Sequence, residues 1–155
     1  MQLNSEIIIS DTSCLILLFK IDELDLLKKL SDKVFITKTI KQEFGKSLPD
    51  WIEIKSPSDD HYQQILEMEL DAGEASAIAL SLETDNSILI IDDLKGRKVA
   101  ERLKLKYSGT FGLILKAKQE GILTNIRPII NKIIQTNFRF SENLLETILR
   151  EAGEF

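Results

Sequence analysis

Two kinds of apolar run alternate along the chain. The short ones are rich in β-branched residues: "EIIIS" (6–10), "VFIT" (34–37), "WIEIK" (51–55), "SILII" (87–91) and, more weakly, "LKYS" (105–108). Such runs predict strands, most of them buried on both faces. Between them, apolar residues recur at three-to-four spacing over 13–19, 23–30, 39–44, 59–70, 73–83, 95–103, 110–119, 126–135 and 142–151, which predicts helices. Strands that alternate with helices imply an α/β fold with a mainly parallel sheet of about five strands. "KSLPDW" and "KSPSDD" read as surface turns. Neither repeats nor low-complexity segments divide the chain, so 1–155 reads as a single domain. The helices from about residue 126 carry Ile126, Ile129, Ile130, Ile133, Ile134, Phe138 and Phe140, which either complete the core or form a homodimer interface.

Composition narrows the class. The length of 155 residues suits one domain, and 43% hydrophobic with 29% charged residues is ordinary for a globular one. The net charge of −5 argues against a broadly basic surface that coats nucleic acid. It leaves room for an acidic cleft that meets phosphate through metal ions. The one cysteine, Cys14, can form no internal disulfide, as expected of a cytoplasmic protein. The opening "MQLNSE" lacks the basic and apolar regions of a signal peptide. No apolar run approaches the roughly 20 residues that span a bilayer, so no membrane association is expected.

Ligands of open parallel sheets bind beyond the carboxyl ends of the strands. Asp11 directly follows "EIIIS", and Asp92 and Asp93 follow "SILII". Glu43 lies in "TIKQEF" after "VFIT", and Glu74 in "LDAGEASAIAL", whose small residues let a helix pack closely on a sheet. Clustered carboxylates repel one another, and a divalent cation between them relieves the repulsion. Oxygen-only ligands suit Mg²⁺ or Mn²⁺, whereas one His and one Cys cannot build a zinc site. Metal-assisted phosphodiester hydrolysis is the natural reaction class.

Each acid also has a plainer role. Asp11 and Asp93 are placed to cap the helices that follow them, and Asp71 with Glu74 forms a capping-box-like pair. Glu43 alone would be a solvated surface residue. Arg97 and Lys98, with Lys95, could anchor phosphate or simply face water, and Thr110 could cap the next helix or touch the site. Cys14 reads as a core residue and His61 as a surface one. An aspartyl-phosphate mechanism of the haloacid-dehalogenase kind needs a second Asp two residues after Asp11, where this chain has Ser13.

The order "SDTSCLI", "IKQEF", "GEASAIAL", "IIDDLKGRKVA", "SGTFGLIL" resembles the PIN-domain superfamily, in particular prokaryotic PIN-like proteins with the GEA and DD..AR signatures. The resemblance runs from about Ile7 to the terminal "LREAGE". It implies a three-layer α/β/α sandwich and a metal-dependent ribonuclease, often the toxin of a toxin–antitoxin pair. By position, Asp11, Glu43 and Glu74 match the first three acids and Asp92 or Asp93 the fourth, with a slight preference for Asp93 as the metal ligand. Glu74 stands where most members carry Asp. Thr12 and Ser13 match the small polar residues that brace the first acid. The resemblance thus points to RNA as substrate, with Thr12 and Ser13 beside the first acid, and to an antitoxin protein and a second copy of the chain as partners; Arg97 and Thr110, read from their own positions, are the further candidate substrate contacts.

Overall fold

The computed structural model describes residues 6–155, so most of the "MQLNSE" stretch lies outside the described residues. Five strands form one sheet: β1 (Ile7–Ser10), β2 (Val34–Ile36), β3 (Ile52–Ile54), β4 (Ser87–Ile90) and β5 (Tyr107–Ser108). Their order is β3-β2-β1-β4-β5, and every pairing is parallel. The helices are α1 (Thr12–Lys20), α2 (Asp25–Leu30), α3 (Lys38–Phe44), α4 (Asp60–Leu66), α5 (Ala72–Leu82), α6 (Leu94–Arg102), α7 (Thr110–Gln119), α8 (Arg127–Ile134) and α9 (Glu142–Glu151). Together they make a three-layer α/β/α sandwich.

Burial follows the strand order. The central strands β1, β2 and β4 are almost wholly buried, and Ile9, Ile36, Leu89 and Ile90 are fully enclosed. Burying each such side chain contributes about 1.5–3 kcal/mol before the entropy of ordering it is set against it. Edge strand β3 alternates out to solvent after Ile52. Helix α5 is built from small residues, and seven side chains from Ala75 to Ser81 are buried against β1, β4 and neighbouring helices.

Several elements are shorter than their sequence patterns, α4 and β5 among them. The helical spacing over 59–70 breaks at Leu66, because Met68 faces solvent while Leu66 and Leu70 turn inward. The last strand loses Leu105, whose N–H closes the end of α6 on the Ala100 carbonyl just after Lys104 takes a left-handed φ of 58°. At the other end of the chain, Ile126, Ile129, Ile130 and Ile133 are buried in the core. Phe138 and Phe140 stack edge-on against Phe111. Of the residues that suggested a dimer face, only Ile134 is substantially exposed. The rest complete the core of the single chain.

Candidate active site

The register of the sheet brings the strand-end acids together. Ser10 lies opposite Ile90, and Ile90 opposite Ser108, so the residues after β1, β4 and β5 share one edge. Asp11 is buried there, at 2% exposure. One carboxylate oxygen accepts the Cys14 N–H at 2.8 Å and so caps α1. The other accepts the Asp92 N–H at 3.0 Å. Capping and clustering are thus two oxygens of one group rather than rival roles.

Asp92 is held from the start of α7. The Thr110 N–H donates to one of its oxygens at 2.8 Å and the Thr110 hydroxyl to the other at 2.6 Å. Gly109 makes this approach possible, since a Cβ there would lie 3.0 Å from the Asp92 Oδ1. Asp93 is exposed and caps α6 through the Gly96 N–H at 3.3 Å, with its charge felt at Glu74. Of the pair, Asp92 is the one that meets Asp11, through its N–H.

The remaining two acids arrive on helices. Thr12, at the start of α1, donates to the Glu43 carboxylate of α3. Glu43 is exposed and lies over Gly73, where a Cβ would come within 2.2 Å of its Oε1. Glu74 is half-buried, with its N–H capped by Asp71 at 2.8 Å. A pair the sequence did not reveal, Thr37 and Ser76, joins the starts of α3 and α5 by a buried hydroxyl contact of 2.7 Å. Its only trace in the sequence is that both are small polar residues inside apolar segments.

The electrostatics record the crowding. Burial first, then the Asp92 charge, pushes Asp11 up from 3.8 to about 8. Burial raises Asp92 too, against the lowering effect of the Thr110 donors and the nearby Arg97 guanidinium. Glu74 rises to about 7, through burial and then the charges of Asp71 and Asp93. Burial also drives the Cys14 thiol upward, which keeps it an inert core group. Ser13 lines an adjoining cavity with Asp92 and Asp93, and Arg97 lies over the Tyr107 ring at 5.5 Å. Lys95 and Lys98 are exposed on α6, and His61 is exposed beside Asp59.

The donor set is hard carboxylate oxygen, crowded enough that Asp11, Asp92 and Glu74 all shift upward, which suits a hard divalent cation that takes the place of the protons. Among the described residues, no three acid, His or Cys side chains are already grouped as a metal cage. The fit is to an ion that takes one or two carboxylates and completes its sphere with water and phosphate, as Mg²⁺ habitually does. Among the described residues no helix is long and apolar enough to cross a membrane. Comparison with curated protein sequences gives no match. The sequence profile of the PIN domain matches residues 7–154. With its parallel five-stranded sheet and its acids on one sheet edge, the chain belongs to the PIN-domain family.

Proposed function

We propose that this protein is a Mg²⁺- or Mn²⁺-dependent ribonuclease. PIN domains are generally nucleases, and the observation that carries the finer reading is the Asp11–Asp92 pair. A buried and a half-buried carboxylate on neighbouring strand ends, one bonded to the other's backbone, are held in place by backbone N–H and hydroxyl donors. Such charge is costly unless a cation joins it. Asp11 and Asp92 would hold that ion, with Glu74 and Asp93 at the rim. When bound, it supplies charge neutralisation for the phosphate and acidifies water beside it. The chain's own residues then do the positioning. Thr110 fixes both oxygens of Asp92, Thr12 orients Glu43, and Glu74, pushed to about 7, can take or give a proton near neutral pH.

The test is a nuclease assay on a panel of RNAs with Mn²⁺, Mg²⁺ or EDTA, beside Asp11→Asn. Cleavage that needs metal and disappears in Asp11→Asn supports the reading. A second reading, an RNA-binding or assembly module, is favoured by the want of a grouped metal cage among the described residues. RNA binding without cleavage under every metal would select it. The toxin role places the protein in the cytoplasm with an antitoxin partner. It requires growth arrest on expression that Asp11→Asn abolishes.

A further inference from the structure

Two cavities adjoin at Asp92. The larger, about 360 Å³, has Ser13, Lys20, Asp93 and Asn137 in its wall. The smaller, about 200 Å³, has Arg97 and Gly109. Asp92, Phe138 and Arg139 belong to both. The shared wall is the irregular stretch 136–140, "TNFRF". Its alternation is that of an extended chain: Phe138 and Phe140 turn in to Phe111, while Asn137 and Arg139 are exposed. The Thr136 hydroxyl bonds the Ile133 carbonyl at 2.7 Å and accepts the Phe138 N–H at 3.1 Å, so the stretch is pinned to the end of α8. Lys20 of α1 reaches across to the Asn137 side chain at 3.4 Å.

Arg139 is set apart from the other arginines. Arg102 is ion-paired with Glu69, Arg127 donates to the Glu154 carbonyl, and Arg97 and Arg150 lie over the Tyr107 and Phe155 rings. Arg139 has no hydrogen bond, ion pair or ring partner among the described residues. In a chain of net charge −5, a guanidinium left over on the wall of two cavities beside the half-buried Asp92 is placed for an anion from outside. The guanidinium fork favours phosphate, and a cavity on each side of the acid suits one nucleotide either side of a phosphodiester. Bases can enter such cavities only when splayed from a stack, which a single strand permits and a duplex resists.

We propose that the two cavities are subsites for consecutive nucleotides of single-stranded RNA, with Arg139 the phosphate-binding residue common to both and Lys20 and Asn137 facing the nucleotide in the larger. The proposal rests on the ribonuclease reading and adds to it the residue that holds the phosphate and the cavities that flank it. The probe is a short fluorescein-labelled RNA, single-stranded or annealed to its complement, titrated by anisotropy at low salt in EDTA. Arg139→Gln, which removes an exposed and unpartnered side chain, is expected to bind the single strand about tenfold more weakly, with a salt slope reduced by about 0.7. Lys29→Gln, on α2 away from both cavities, should stay within about twofold of the parent. The duplex should bind more weakly than the single strand. With Mn²⁺ present, Arg139→Gln should raise KM and leave kcat near the parent value. Metal-dependent cleavage by the parent, with Arg139→Gln unchanged in affinity and KM or with duplex bound as tightly, sinks the subsites and leaves the ribonuclease standing. A parent that neither binds nor cleaves any RNA overturns both.

Discussion

Thr110 shows how much one hydroxyl can decide. Its N–H and its Oγ each satisfy a different oxygen of Asp92, a half-buried acid already raised by desolvation. Thr110→Val keeps the shape and removes one charge-assisted bond, leaving an acceptor short of a donor at an expected cost of about 1–3 kcal/mol. Urea unfolding should show a lower midpoint with unchanged slope, and Thr110→Ser should restore it. An unchanged midpoint in Thr110→Val would mean that shape, and not the hydroxyl, holds Asp92. Asp11→Asn is expected to behave differently. Asn caps helices as well as Asp, so the Cys14 bond survives, while the side-chain amide cannot mimic the acceptor that Asp92 N–H now uses. Loss of a repelling charge offsets that mismatch, so thermal stability without metal should equal or exceed the parent's while metal-dependent activity is lost. A large fall in melting temperature would show that the cap outweighs the repulsion.

Helix α5 sets the approach of the site's outer acids. Gly73 sits under Glu43, and a methyl there would meet its carboxylate at 2.2 Å. The obstructing atom is the end of an exposed side chain, so Gly73→Ala should move Glu43 off Thr12 rather than unfold the helix. Melting within a few degrees of the parent, with clearly reduced cleavage, is the expected outcome. Full activity would remove Glu43 from the reaction. This level also shows what the sequence made legible. Apolar strand runs and their ends located Asp11 and the Asp92–Asp93 pair, because parallel strands share one carboxyl edge. Which member of the pair meets Asp11 was not legible, since a one-residue offset at a strand end reverses the side chain and the register with β5 decides it. Nor was the role of 136–140, whose alternation reads as surplus apolar residues until Phe111, distant in sequence, is seen to receive them.

At the scale of the whole molecule, the buried acids set a stability that depends on pH and metal together. In the folded chain Asp11 titrates at about 8, above its ordinary value of 3.8, and Asp92 and Glu74 shift in the same direction. Between the unfolded and folded values the native state holds more protons than the unfolded one, so stability falls as pH rises through that window. Most of the loss attributable to Asp11 should therefore fall between about pH 4 and pH 8, in EDTA, and the trend should flatten beyond it. Glu74 adds to the slope only up to about 7, and as a half-exposed group contributes less. On the proposed function, a divalent ion would compete with those protons and bind only the folded chain. Mn²⁺ should then raise the melting temperature little in acid and most near and above pH 8, where the carboxylates are ionised. At a hundredfold excess over its dissociation constant the gain is about 2.7 kcal/mol, or roughly 5–10 °C for a chain of this size. Asp11→Asn should show both a shallower pH slope in EDTA and a smaller Mn²⁺ shift, because one side chain underlies both effects. Differential scanning calorimetry across the pH range, with EDTA and with Mn²⁺, checks the two together. A flat EDTA profile would remove the buried charge from the argument, and a Mn²⁺ shift that ignores pH would place the ion somewhere other than these acids.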